Sequence, residues 1–378
     1  MAGIALYISG GILKGFATTL IIGIVSSLFT GVLVGRLIMH AYISFLGNKK
    51  LSFGLASKGF LQNTHIDFFG IRKIAYLFSV AFIGLGGMFI YKQGGLNLGV
   101  DFTGGRTYVV EFTEYVHPIE MREKLAKVFN SQSTDVITYG KDNVLRVTTS
   151  YLAHINSIKT DKKIQMLLIE NIAAHTGLKY VENTKKLANK EFTITSSSKV
   201  GPTLAESVRK SAHMAIFLSL LMIFLYILWR FKRWEFGLSA IIALLHDILV
   251  VIAAFGIAKE LGFNYEIDGV FVGSISTVSG YSITDTVVVL TFIKRRLQRV
   301  IGKPNLQEVI NTAINKTLSR TLITSLTTFI TVFCLFIFGG TALKGLAFPV
   351  LVGILFGTYS SIFIAGPLSV DIRRLVQK

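Results

Sequence analysis

Three carboxylates stand where a carboxylate is expensive. Asp247, Asp268 and Asp285 fall in or at the edge of apolar stretches long enough to cross a bilayer, and an ionisable group at that depth marks a functional site by default. Asp285 lies in the run Gly280-Tyr-Ser-Ile-Thr-Asp-Thr-Val-Val-Val289, upstream of Lys294. At helical rise the two are roughly 13 Å apart, which puts Asp285 close to the membrane midplane. Ser274, Ser282 and Thr286 accompany it, and Gly273 and Gly280 permit close helix approach. The next apolar stretch carries Arg320, Thr324, Thr327, Thr328 and Thr331, whose spacing draws one polar stripe on an otherwise apolar helix. Such a stripe avoids lipid and faces a partner.

With Asp285 opposite that stripe, the expected chemistry is proton exchange. Withdrawal from water disfavours a charged carboxylate, and an approaching Arg320 restores it. The same pair also fits a permanent structural ion pair, and Arg320, near the expected start of its helix, could snorkel to the inner surface. Both readings stay open on residues alone. His246 and Asp247, in Leu244-Leu-His-Asp-Ile-Leu249, suit either a proton relay or a packing hydrogen bond. Asp268, at the outer edge of its stretch, is expected to reach water.

Other chemistries lack their residues. The chain contains no nucleophile elbow, zinc motif or dinucleotide fingerprint, and His117, His154 and His175 are scattered without ligand spacing. Gly99-Val-Asp-Phe-Thr-Gly-Gly105 is not a phosphate-binding loop, because no Lys-Ser or Lys-Thr follows and no helix is expected there. It reads as a tight turn in which Asp101, Gly104 and Gly105 are structural. Neither an enzyme nor a cofactor or metal site is expected.

The elements that must position these groups follow from hydropathy. Only 16% of the 378 residues are charged, well below the quarter or so of a soluble domain. Spanning helices are expected near 14–46, 73–92, 212–231, 236–258, 268–293, 318–338 and 344–368. The net charge of +18 follows the same frame: segments 47–73, 230–236, 294–320 and 371–378 hold 18 Lys and Arg, against Lys14, Lys259 and Lys344 on the other side. The positive-inside rule then places the N-terminus outside and the C-terminus in the cytoplasm, and the charge does not advertise nucleic acid. The first apolar block lacks a basic leader and runs past signal-peptide length, so no cleavable signal is expected. Cys334 lies within an expected helix, which excludes an intramolecular disulfide.

Residues 93–210 form a soluble insertion with 16 basic and 12 acidic residues. Thr107–Phe112, Asp135–Tyr139, Val144–Thr149 and Phe192–Ser196 read as strands, the middle two joined through Gly140–Asn143. Met121, Leu125, Val128 and Phe129 share one helical face, and Ile164, Leu167, Leu168 and Ile172 another. The order β-α-β-β-α-β predicts a ferredoxin-like α+β domain. Residues 13–25 (LKGFATTLIIGIV) and 343–355 (LKGLAFPVLVGIL) repeat without a gap, six of thirteen positions being identical. Read as a repeat, they end two parallel halves, of which the chain holds one whole and only the tail of the other.

The segments GVDFTGG (99–105), LLHD (244–247), GYSITDTVVV (280–289), SRTLITSLTT (319–328) and GTYSSIFIAGPL (357–368) resemble SecF, the second half of the SecDF accessory of the Sec protein-export translocase. The resemblance covers about residues 60–370. Residues 10–46 resemble the last helix of SecD, so the chain looks like the C-terminal part of a fused SecDF. The resemblance implies an RND-like six-helix half plus one leading helix (1–46), a cytoplasmic linker (47–72), a first SecF-like helix (73–92), the outer domain (93–210), a five-helix bundle (211–370) and a cytoplasmic tail (371–378). It implies use of the proton motive force to assist export across the bacterial inner membrane, with a SecD-like half, the SecYEG translocon, an unfolded precursor and protons as partners. It makes Asp285 and Arg320 the matching positions for the family's membrane acid and arginine; the residue reading above adds Asp247, Thr324 and Thr328 as proton-coupling candidates. Leu290-Thr-Phe-Ile-Lys-Arg295 departs from the family's acidic, FDRIRE-like helix end. Small-molecule efflux and a non-transporting scaffold role are the alternatives.

Overall fold

The protein is described by a computed structural model, covering residues 13–46, 61, 64–129, 134–155, 157–182, 187–263, 265–299, 305–339 and 341–376. Most of the expected linker at 47–72 lies outside the described residues. The leading helix runs as α1 (Leu13–Leu28), a π-helical stretch Phe29–Val34 and α2 (Gly35–Leu46). Then come α3 (Phe68–Lys92), a single-turn α4 (Val100–Thr103) and the outer domain: β1 (Gly105–Phe112), α5 (Pro118–Val128), β2 (Asp135–Tyr139), β3 (Lys141–Thr149), α6 (Ile158–Thr176), β4 (Lys179–Tyr180) and β5 (Glu191–Val200). The remaining helices are α7 (Pro202–Phe231), α8 (Trp234–Glu260), α9 (Gly269–Arg299), α10 (Leu306–Phe338) and α11 (Thr341–Ser360), which continues through a second π-helical stretch, Ser361–Ala365, into α12 (Gly366–Val376).

Seven of these helices are long and apolar enough to cross a membrane, one for each expected span. Three helices outrun their hydrophobic stretch. α7 begins at Pro202, α9 reaches Arg299 and α10 starts at Leu306, because polar turns continue a helix once its buried face fixes the axis. Arg320 therefore sits in the middle of its helix, not near its start. The bundle centres on α8, α9 and α11, whose spans are half or more buried, whereas only 6% of the leading span is covered. Ala17 of α1 is its anchor, packed with Phe102, Phe255 and Phe271.

Small residues set how closely the central helices pack. A Cβ on Gly353 of α11 would lie 2.2 Å from Val278 of α9, and one on Gly357 would lie 3.0 Å from Ser282. Gly353-x-x-x-Gly357 is thus the small-residue face of the α9–α11 contact. Gly280, expected to serve this purpose, has nothing within 4 Å of its Cβ position.

The outer domain is one five-stranded sheet in the order β2-β3-β1-β5-β4. Neighbouring strands are antiparallel except β4 and β5. Its core joins Phe112, Leu145, Val147 and Phe192 of the sheet to Met121 and Leu125 from the first helix, Phe129 at its C-cap, and Ile164, Leu168 and Ile172 from the second. Val128 and Leu167, read as members of those faces, are partly buried at its edge. Two details differ from expectation. β3 begins immediately after Gly140, whose φ of +83° makes the turn, and the Gly99 run contains the one-turn helix α4 rather than turn alone. Gly105, with φ of +148°, leaves that run where a Cβ would strike the Thr149 carbonyl at 2.5 Å.

Candidate functional site

Asp247 projects into the contact between α8, α9 and α11, and Asp285 points from α9 toward Ser325 of α10, while Thr358 and Ser360 of α11 reach Ser325 and Asp247. Asp247 is fully buried. His246 Nδ1 lies 3.0 Å from its Oδ1, and the hydroxyls of Ser282 and Ser360 donate to Oδ2 at 2.5 and 2.9 Å. The other imidazole nitrogen lies 2.9 Å from Ser79 Oγ of α3, itself 3.3 Å from the Tyr359 hydroxyl. Tyr359 donates to the Ala75 carbonyl at 2.7 Å. One buried polar chain thus ties α3, α8, α9 and α11 together through a single carboxylate.

Asp285 is held far more loosely. Its residue is 6% exposed, and among the described residues its hydrogen-bond partner is the Ser325 hydroxyl at 3.4 Å. Ser325 also donates to its own helix at the Thr321 carbonyl, 2.8 Å away, so its hydrogen is divided between two acceptors. Thr358 Oγ1 reaches Ser325 Oγ at 2.6 Å. These two hydroxyls border a groove of about 410 Å³ between α10 and α11, otherwise lined by apolar residues such as Leu326, Phe329 and Phe363. Among the described residues, no ion pair joins Asp285 to Arg320. A permanent salt bridge is therefore not what this conformation contains. Arg320 is exposed, and it acts on Asp285 through space.

The threonine stripe does not face the acid. Thr324, Thr327, Thr328 and Thr331 each donate to a carbonyl of their own helix, Thr324 to Arg320 and Thr328 to Thr324, both at 2.9 Å. Thr324 and Thr327 are exposed. At about 100° per residue, the face that meets α9 is the one bearing Thr321 and Ser325, and both are buried. The helical period found a polar face correctly but took the outward one. Ser325, Thr358, Ser360, Tyr359 and Ser79 were missed. The signal for three of them was the Thr-Tyr-Ser-Ser run at 358–361, dense in hydroxyls for a membrane helix; in the structure it leads into a π-helical stretch that begins at Ser361, of the kind that often marks functional sites.

Asp101 and Asp268 act at the start of α9. Asp268 Oδ1 accepts from Phe271 N at 3.0 Å, and Asp101 Oδ2 accepts from Gly269 N at 3.0 Å. Two carboxylates so satisfy amides that a helix start leaves unpaired. Gly104 closes the α4 turn, its N–H donating to the Val100 carbonyl. No group of three or more metal-ligating side chains occurs among the described residues.

Comparison with known proteins places the chain in a family. Residues 180–375 match the family model "Protein export membrane protein SecD/SecF, C-terminal", and residues 94–116 match the SecD/SecF GG motif. The protein translocase subunit SecF of Rhodothermus marinus is 36% identical over 313 residues, 82% of this chain and 94% of that one. SecF of Thermodesulfovibrio yellowstonii is 37% identical over 314 residues, 82% of this chain and 95% of that one. A crystal structure of the translocon-associated membrane protein SecDF from Thermus superposes with a TM-score of 0.77 at 27% identity, covering 99% of this chain and 47% of the SecDF chain. SecDF in a super-membrane-facing form superposes with a TM-score of 0.66, covering 47% of that chain too. The chain therefore spans nearly the whole of a SecF but about half of a SecDF. From its apolar helices, its GG motif and these relatives, the chain belongs to the SecF family of multi-pass protein-export membrane proteins.

Proposed function

We propose that the chain is the SecF half of an accessory that uses the proton motive force to assist polypeptide movement across the inner membrane, with Asp285 as its proton-exchanging group. One observation carries this reading. Among the described residues, Asp285 is a buried carboxylate with a single shared, long hydrogen bond, and Arg320 on the neighbouring helix has no ion pair. Coulomb attraction in a poorly screened interior then makes the protonation state of Asp285 and the position of Arg320 depend on each other. Protonation frees the arginine, and deprotonation draws it in. One charge moved through 100 mV releases about 2.3 kcal/mol, enough to bias a two-state motion.

His246 and Asp247 anchor the neighbouring helices in this scheme. Thr324, exposed on α10, and the half-buried Thr328 one turn on meet a SecD-like half. Residues 13–46 are read as the last helix of such a half. A shift of 330 residues, the offset between Leu13 and Leu343, carries Phe29–Val34 onto 359–364. That range overlaps the second π-helical stretch, Ser361–Ala365, so the two helices share a local distortion as well as sequence. The outer domain is read as a ferredoxin-like fold with β4 added at its edge, there to hold an emerging unfolded precursor delivered by SecYEG. The N-terminus lies outside and the basic loops in the cytoplasm.

The test uses inverted membrane vesicles holding the translocon, this chain and a supplied SecD-like partner. Precursor import is followed with and without a proton gradient, for the native chain and for Asp285→Asn. Gradient stimulation confined to the native chain supports the proposal. Equal stimulation of both removes Asp285 from the coupling.

A further inference from the structure

The outer sheet has two edges, and they are finished differently. On the β2 side the domain meets the bundle along a seam. Arg146 of β3 reaches Glu266 in the α8–α9 connection at 3.2 Å, and Leu98 pairs with Ile267 in a short bridge. Val136, Ile137 and Thr138 of β2 border a cavity of about 460 Å³, shared with Phe263, Tyr265 and Lys344 of the bundle. Asp135 adds a charge to that edge and lies 3.5 Å from Arg122. A charged edge set against the rest of the molecule is guarded against further strands.

The β5 edge has neither guard. β4 covers only its start, pairing Lys179 with Glu191 and Tyr180 with Phe192. Among the described residues, no strand lies beyond residues 193–200. The run 193–198 reads TITSSS and holds no charge and no proline. Residues 195–198 are exposed, although successive side chains point to opposite faces of a sheet, so both faces are uncovered here. Lys199, the next cation, is drawn back to Asp161 at 2.8 Å and does not screen the edge.

A bulge sets which main-chain groups are available. Glu191 O accepts from Thr113 at the end of β1, while Phe192 O accepts from Val181 beside β4. Inward and outward groups therefore alternate along β5. Thr195 is the extra residue, since Val109 faces Ser196 and Val110 faces Ile194. Its hydroxyl donates to the Val109 carbonyl at 3.2 Å. Beyond it the alternation turns Ser196, Ser198 and Val200 toward β1. The N–H and C=O groups of Ser197 and Lys199 then point to the open side.

We propose that this edge adds an extended polypeptide as a further strand, without selecting its sequence. The proposal rests on the role read for the outer domain, holding an unfolded precursor, and gives that role a place and a chemistry. In strand addition, main-chain hydrogen bonds supply affinity and side-chain pockets supply specificity. Serines on both faces leave the bonds and provide no pockets. A strand that is polar on both faces also specifies register weakly, so a guest can slip along it. That property suits a chain in transit and works against a fixed subunit contact, which needs one register. β5 runs into α7 with only Gly201 between them, so tension on the guest passes directly to the bundle.

The experiment uses the full chain in lipid nanodiscs and fluorescent, neutral peptides of unrelated sequence, with no gradient and no translocon. The peptides should bind with similar affinities, and one with proline at alternate positions should not bind. Ser197→Pro removes an outward N–H while leaving the β1 ladder its bonds, and should weaken every peptide about tenfold. Ser197→Thr keeps the N–H and should bind as the native chain does. Hydrogen exchange in the native chain gives a second reading. Bound peptide should slow the Ser197 and Lys199 amides and leave Ser196 and Ser198 unchanged. Equal binding by Ser197→Pro, or a preference for a single sequence, overturns the proposal. So does protection of the Ser197 and Lys199 amides by a SecD-like half alone, which would make the edge a subunit contact. Binding that slows exchange only elsewhere on the outer domain removes this edge but keeps the holding role, and no binding at all removes both.

Discussion

Asp247 and Asp285 belong to adjacent helices of one bundle, and the fold treats them in opposite ways. Asp247 is enclosed by His246, Ser282 and Ser360, so its carboxylate is a structural hub. Asp285 has a serine hydroxyl that it must share with a backbone carbonyl. A buried polar group that is fully satisfied rigidifies its surroundings, whereas a partly satisfied one retains free energy to gain from a new partner. The contrast teaches that buried acids can differ in how many of their lone pairs are already spoken for, and the proposed proton exchange at Asp285 rests on that difference.

The most forceful way to break this comparison is to neutralise both acids without changing their shape. Asp285→Asn should remove all gradient stimulation of import while leaving the unfolding temperature of the purified chain within a degree or two of native. Asp247→Asn should retain most of the stimulation. An equal, complete loss at both positions would erase the distinction. Next in size is Asp247→Ala, which leaves His246, Ser282 and Ser360 without their common acceptor. It should destabilise the chain by about 2 kcal/mol in detergent unfolding, and Asp285→Ala should cost clearly less. Ser325→Ala removes the shared donor and should alter stability by about 1 kcal/mol or less. Its stronger effect should be on the pH profile of gradient-driven import, and an unchanged profile would show that Ser325 does not tune Asp285. The smallest effect belongs to Thr324→Val combined with Thr328→Val, within about 0.5 kcal/mol for the chain alone. Co-purification with a SecD-like half should weaken in that variant, and unaltered recovery would place the partner on another face.

The outer domain offers a milder version of the same contrast. Within it, Arg106 is closed off by Asp161 and the carbonyls of Tyr151 and Ile155, and Lys199 shares the same carboxylate at 2.8 Å. That cluster fixes β1 and β5 to the start of α6. At the seam, by comparison, Glu266 has Arg146 as its ion-pair partner and several carboxylates nearby.

The sequence by itself determined the number of spans, because a hydrocarbon core tolerates only helices whose backbone groups are internally satisfied. It also determined the alternation of strand and helix in the insertion, where period-two and helical patterns bury the same residues that the core contains. It located Asp247, Asp285 and Arg320, since charge at membrane depth is visible in any hydropathy reading. Tertiary structure alone decided which hydroxyls serve which acid. Thr324 and Ser325 are adjacent in sequence yet point about 100° apart, and only the crossing of α9, α10 and α11, set by Gly353 and Gly357, shows that Ser325 faces inward. Ser360 likewise reaches Asp247 across 113 positions of chain. The Arg146–Glu266 contact was beyond any local pattern, because its partners are unremarkable surface types until the domain and the bundle close over them.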